Sequence, residues 1–242
     1  MNPPSRTIDL NADLGEGFPF DAELLRLVSS ANVCAGSYAG SPELTRGTVA
    51  EAAALGVRVG AHVGYPDREN FGRTPLALTR PALASSLRKQ LGTCLAAAAT
   101  ADTSIAYIKP HGALYHAASE EHDATEVLVA LAAEFGLAMM HQPGTALAKR
   151  CAARDVPLIA EGFADRRYLP NGRLVPRDRP GAILTDDGDV ARQAVALALG
   201  EGAVPVASIC VHGDDVRSLD NARAVRSAFR MFGVAIASPI PR

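Results

Sequence analysis

The sequence predicts an α/β fold in which seven or eight parallel strands wind into a distorted β/α barrel. Three observations carry that reading. Short apolar runs recur at intervals too long for hairpins. Helical stretches with recognisable start and stop signals lie between most of them. Polar and titratable residues gather just after the runs, where a parallel fold brings its strand exits to one rim. A chain of 242 residues buries one large core, so a single domain over 1–242 is expected, with an open, doubly wound sheet as the alternative.

The first run, 7–10, leads into Asn11, Asp13 and Glu16. The second, 31–33, precedes a helix with Ser41 as N-cap, Pro42 at the first helical position and Gly56 as terminator. The third, 57–61, ends at His62, and the alanines at 96–99 read as the interior of the following helix. The fourth, 105–108, leads into Lys109-Pro110-His111-Gly112. A helix is predicted over 119–135, with Val127, Leu128, Leu131 and Phe135 on one apolar face and Gly136 to stop it. The fifth run is 138–140; the sixth, 157–160, is followed by Glu161, Asp165 and Arg166. Pro170, Pro176 and Pro180 with Asn171-Gly172 exclude a long helix across 163–187, so an ordered functional loop is expected there. The seventh run, 208–211, leads into His212, Asp214 and Asp215, and 234–236 is the eighth.

Charge and cysteine usage exclude several function classes. With 24 basic and 26 acidic residues the formal charge is −2, which does not attract nucleic acid or an anionic membrane surface; a small neutral or anionic substrate fits better. Cys34, Cys94, Cys151 and Cys210 form no CxxC pair, so reduced thiols are expected rather than a zinc knuckle or a disulfide framework. No stretch has the apolar length of a signal core or a spanning helix, and the chain is read as cytoplasmic.

The strand-exit residues have the types that catalysis needs. A single Asp or His at such a place is as often a cap as a catalyst, but the joint pattern offers a base, a proton donor and an anion clamp. In Asp13-Leu14-Gly15-Glu16 one carboxylate can act as base while the other orients water or a cation; the plainer reading is a capped turn with Gly15 at positive φ. Lys109 and His111 place a cation and an imidazole at one strand end, stiffened by Pro110. Asp13, Glu16, His62, Lys109 and His111 are therefore the candidate catalytic set. Among the arginines of one loop, Arg166 and Arg177 are the candidates for an acid or phosphate, because each adjoins a carboxylate, Asp165 or Asp178, that can orient it. Asn11, Tyr38, Asp165 and His212 complete the candidate substrate-binding group. No GxxxxGK[ST] pattern occurs, so any nucleotide binds otherwise or elsewhere.

Several stretches in this order resemble the LamB/YcsF family, the A subunits of bacterial 5-oxoprolinases. They include Asn11-Ala12-Asp13-Leu14-Gly15-Glu16, Gly60-Ala61-His62-Val63-Gly64-Tyr65-Pro66-Asp67, Phe71-Gly72-Arg73, Lys109-Pro110-His111-Gly112-Ala113-Leu114-Tyr115, Leu174-Val175-Pro176-Arg177 and Cys210-Val211-His212-Gly213-Asp214. The resemblance spans essentially the whole chain. It implies a barrel similar to that of glycoside hydrolases and carbohydrate deacetylases, opening of the 5-oxo-L-proline lactam to glutamate with ATP consumed by a complex, and partner subunits B and C. One stretch departs from the family pattern: Tyr38 and Ser41 stand where relatives carry a histidine and an aspartate. If that histidine is a metal ligand in relatives, Asp13 and His62 alone would hold a divalent ion weakly. Two other readings are a metal-dependent N-acetyl-carbohydrate deacetylase and a non-catalytic binder of small acids.

Overall fold

The computed structural model describes residues 6–120, 122–177, 179–214 and 216–240. The strands are β1 (Arg6–Leu14), β2 (Ser30–Cys34), β3 (Arg58–Val63), β4 (Ile105–Pro110), β5 (Ala138–His141), β6 (Leu158–Phe163), β7 (Ser208–Val211) and β8 (Val234–Ile236). The helices are α1 (Asp21–Leu25), α2 (Pro42–Leu55), α3 (Arg80–Thr100), α4 (Gly112–Ser119), α5 (Asp123–Phe135), α6 (Ala146–Ala153), α7 (Asp187–Leu199) and α8 (Ser218–Met231). The strands pair in parallel in the order β2-β3-β4-β5-β6-β7-β1, and β1 pairs again with β2, which closes a seven-stranded barrel and sets aside the open sheet. β8 is an eighth strand outside that circle. It holds only the start of β1, Arg6 against Val234 and Ile8 against Ile236, on the edge that β2 occupies from Asn11 onward.

Alternation within the strands separates two cores. In β1, Leu10, Ala12 and Leu14 join the aliphatic layer under the helices with Val33, Leu87, Leu91, Ile108, Leu128 and Phe229, all fully buried. Each such leucine contributes about 1.5–3 kcal/mol. Asp9, Asn11 and Asp13 alternate with them and hydrogen-bond across the barrel to Ser30, Ser208, Asn32 and Lys109, so the barrel interior is polar. Its lower part is plugged by Tyr107 with Met140 and Ile159. A Cβ on Gly60 would overlap the Tyr107 ring, so β3 has glycine where that ring lies across it.

The predicted caps of α2 hold. Ser41 Oγ accepts from the Leu44 amide at 3.2 Å, Pro42 opens the helix, and Gly56 closes it at φ 69°. The helix predicted over 119–135 starts later, at Asp123, where the His122 ring accepts the Ala124 amide, and Ser119 instead ends α4. Between β6 and α7 the chain is ordered without a helix. Arg166 and Ile183 bridge, as do Tyr168 and Leu174, and Gln193 donates to the carbonyls of Phe163, Ala164 and Arg166. The strands run further than the apolar runs predict: Asn11, Asp13, His62, Lys109 and Glu161 are strand residues rather than the first loop residues. No helix among the described residues is long and apolar enough to cross a membrane, and the four cysteines are buried and free.

Candidate active site

At the C-terminal end of the barrel the interior column opens into a cavity of about 970 Å³. Its floor is Lys109, whose Nζ lies 2.8 Å from Asp13 Oδ1, 2.7 Å from Glu161 Oε1 and 3.3 Å from Cys210 Sγ. Burial opposes the ammonium charge, but Asp13 and the neighbouring groups outweigh it, and the Lys109 pKa stands well above the usual lysine range. Burial likewise raises Asp13, yet His62 and Lys109 win and hold its carboxyl well below the ordinary value. Burial lifts Glu161, and Lys109 only partly offsets it.

Beside the lysine stands a group of three donors. Asp13 gives Oδ1 to Lys109 and to the Asn32 amide, which leaves Oδ2 3.4 Å from His62 Nε2. His62 Nδ1 lies 3.1 Å from the Lys109 carbonyl, and His111 Nε2 lies 2.9 Å from the Phe71 carbonyl. A carbonyl only accepts, so both of those nitrogens carry hydrogen. The opposite nitrogens, His62 Nε2 and His111 Nδ1, face each other at 3.0 Å. A proton on one of them, or a cation bound by both, satisfies that contact. Asp13, His62 and His111 each offer one atom within 4.8 Å of the others. Two imidazoles and a carboxylate, each imidazole oriented by a carbonyl behind it, suit a divalent transition ion. His111 therefore adds a third donor beside Asp13 and His62, which do not stand alone.

Tyr38 has a different place from the one predicted. It is buried, stacks on His111 at 3.9 Å and donates its hydroxyl to Glu16 Oε1 at 2.9 Å. Burial and the charge of Asp13 raise the Glu16 pKa well above the carboxylate range despite that bond. Arg68 braces the loop carrying Tyr38 by donating to the carbonyls of Gly36, Ala39 and Gly40. Gly15 is at φ 74°, and its amide donates to Asp21, as the capped-turn reading requires.

Of the eleven candidate residues, Asp13, His62, Lys109, His111, Arg166, Arg177 and His212 line the cavity. Four do not. Asn11 lies one layer lower and binds Ser208 and Asn32; Tyr38 and Glu16 stand behind the imidazoles; Asp165 turns both oxygens to His212, at 2.9 and 3.0 Å. The orienting partner expected for Arg166 is corrected accordingly. Arg166 donates to the Val175 carbonyl at 2.8 Å, and Arg177 is held by Asp214 at 2.9 Å. Asp178 and Asp215 lie outside the described residues. Sequence reasoning missed Asn32, Tyr115, Arg73 and His116. For Asn32 a signal was present, since Ser30-Ala31-Asn32-Val33 alternates polar and apolar residues.

A model of the LamB/YcsF family matches residues 8–241. A relative from Nocardia farcinica, named as the A subunit of 5-oxoprolinase, is 41% identical, over 95% of this chain and 98% of its own length. One of the same name from Haemophilus influenzae is 40% identical, over 91% and 94%. Among solved structures, the lactam utilization protein of Thermus thermophilus superposes with a TM-score of 0.89 at 33% identity, covering 96% of this chain and 99% of that one. A polysaccharide deacetylase from Bacillus cereus shares the fold alone, at a TM-score of 0.57 and 14% identity, covering 97% and 92%.

Proposed function

The chain belongs to the LamB/YcsF family, and from that premise we propose that it is the A subunit of an ATP-dependent 5-oxoprolinase, acting with subunits B and C to convert 5-oxo-L-proline to L-glutamate. The observation that carries the reading is the Asp13–His62–His111 group beside Lys109, at the floor of a cavity whose wall includes Arg166 and Arg177. A five-membered lactam is an unreactive amide, which gives the ATP a purpose: phosphorylation of its oxygen yields an imidate that water attacks.

In this reading Arg166 and Arg177 take the substrate carboxylate as planar donors. Lys109 and His212 approach the reacting carbonyl as cation and hydrogen-bonding partner. Asp13 and the His62–His111 pair orient water and accept its proton, with Tyr38 and Glu16 fixing the His111 ring from behind. Asp13, His62 and His111 would hold a divalent ion, which when bound supplies Lewis acidity and lowers the pKa of water. Mixing the purified chain with its partner subunits, ATP and 5-oxo-L-proline should release glutamate; no turnover with any partner set refutes the assignment.

The same three donors favour a second reading, a metal-dependent deacetylase that needs no ATP. Elemental analysis with a stoichiometric transition metal, together with acetate release from an N-acetylated sugar in the absence of ATP, would select it.

A further inference from the structure

Glu161 is one of the strand-exit residues that the sequence marks, and the structure sets it behind Lys109, fully buried. Its two oxygens have different neighbours. The Tyr115 hydroxyl accepts the Gln142 amide at 2.8 Å and gives its own hydrogen to Glu161 Oε2, 3.2 Å away. Oε1 lies 2.7 Å from Lys109 Nζ. A proton on Oε1 would face an ammonium group, which has no lone pair to receive it, so Glu161 is a carboxylate. Lys109 aims its hydrogens at Asp13 Oδ1, Cys210 Sγ and Asn11 Oδ1, at 2.8, 3.3 and 3.4 Å. With those three acceptors served, Glu161 Oε1 is a fourth neighbour, in ionic contact but without an aligned hydrogen bond. A buried carboxylate oxygen in that position is unfavourable by itself and points to a role for its charge.

That role follows from the charges on the floor. Asp13 and Glu161 border the same ammonium at nearly equal distances, 2.8 and 2.7 Å. Two carboxylates share one positive charge, so the three groups together keep one negative charge. Without Glu161 the lysine would neutralise Asp13 alone, and Asp13 Oδ2, the oxygen that Lys109 leaves uncovered and that faces His62, would have little charge to offer. We propose that Glu161 is a positioning residue that acts through Lys109: by sharing the ammonium it preserves the negative charge of Asp13 for the water or divalent ion at Asp13, His62 and His111. Tyr115 in turn fixes Glu161, since its ring is held against His141 and Phe163 while its hydroxyl reaches Oε2. The inference deepens the function proposed above and rests on its reading of Asp13, His62 and His111 as the group that orients water. Arg166 and Arg177, which take the substrate carboxylate in that reading, are held by the Val175 carbonyl and by Asp214. Loss of the Glu161 charge therefore falls on the reacting step and leaves substrate capture in place.

The test is calorimetry of the purified full chain with zinc ion alone. The parent chain should bind it, and His111→Ala should abolish that binding, which assigns the signal to this site. Glu161→Gln keeps the shape of the side chain and loses only its charge, so zinc should bind about tenfold more weakly, while 5-oxo-L-proline binds within about threefold of the parent and reports an intact fold. Removing the lysine charge as well, in Glu161→Gln with Lys109→Met, leaves Asp13 with no cation to neutralise it, and zinc affinity should return to within about threefold of the parent. A merely structural part for Glu161 would make the double variant worse than the single one. No zinc binding by the parent chain, equal binding by parent and Glu161→Gln, or no recovery in the double variant overturns the inference. If Glu161→Gln does not unfold cooperatively in urea, the double variant carries the test by itself, and an affinity tenfold below the parent overturns the inference. Glutamate release by the reconstituted complex is assayed in parallel, where Glu161→Gln should lower kcat about tenfold and leave KM for 5-oxo-L-proline within about threefold. Turnover by the parent complex with zinc binding indifferent to both charges means that only the role of Glu161 is wrong; no turnover, with zinc binding that follows the charges, means that the assigned reaction is wrong and the role of Glu161 stands.

Discussion

Lys109 binds the two halves of the floor together. Its Nζ sits between Asp13 and Glu161, and all three side chains are almost wholly withdrawn from water. Removing the cation leaves carboxylates with no counter-charge, and breaking a buried pair in this way costs about 3–5 kcal/mol. Lys109→Met should lower the urea midpoint accordingly and abolish turnover; a variant of unchanged stability would show that the floor is not held by this charge. His141 makes a separate, pH-dependent contribution. It is fully buried against Tyr115, and burial lowers its pKa from 6.5 to about 4. The unfolded chain therefore takes up a proton near pH 6.5 that the native chain takes up only near pH 4. Stability is lost as the pH falls through that window, by about 3 kcal/mol at most. Urea unfolding at pH 7 and pH 4.5 should show a smaller fall for His141→Gln than for the parent chain, whatever the substitution costs at neutral pH.

At the scale of elements, the tyrosine that plugs the barrel constrains β3. A side chain at Gly60 collides with the Tyr107 ring, which also donates its hydroxyl to Asn32 at 2.7 Å. Gly60→Ala should cost about 1–3 kcal/mol through overpacking, read as a lower melting temperature, while Gly92→Ala in α3, where a Cβ meets nothing within 4 Å, should not destabilise. The same polar interior explains what the sequence disclosed and what it withheld. Apolar runs located all eight strands, because one face of each packs under the helices. They ended β1 at residue 10 and β6 at residue 160, whereas the strands run to Leu14 and Phe163. The truncation has a physical cause. Asn11, Asp13 and Glu161 alternate with apolar neighbours and are satisfied inside the barrel, so their polarity imitates a loop. Convergence of Asp13, His62, Lys109 and His111 was legible from their strand-exit spacing. The roles of Tyr38 and Asp165 were not, since stacking on His111 and turning to His212 depend on loop paths that no spacing specifies.

At the scale of the whole molecule, net charge and local charge point in opposite directions. The chain carries a formal charge of −2, which by itself repels an acid. Arg73, Arg166, Arg173 and Arg177 nevertheless line one opening, and Asp214 and Glu120 answer three of them through side-chain pairs. A low-dielectric cavity focuses such a field, so a small anion responds to the mouth rather than to the total. Arg73, Arg173 and Arg177 are partly exposed, at 39%, 58% and 28% of their side chains, and salt reaches them. Raising the ionic strength from 0.1 M to 1 M shortens the screening length from about 10 Å to about 3 Å. Calorimetric titration of the chain with 5-oxo-L-proline should then show a Kd that rises severalfold with sodium chloride. Were the overall negative charge in control, screening would relieve repulsion and the Kd would fall. The sign of the salt effect alone decides between the two, and in Arg166→Gln, which removes the most deeply buried of these cations, whatever affinity remains should keep the same upward slope, because the exposed arginines that salt screens are still in place.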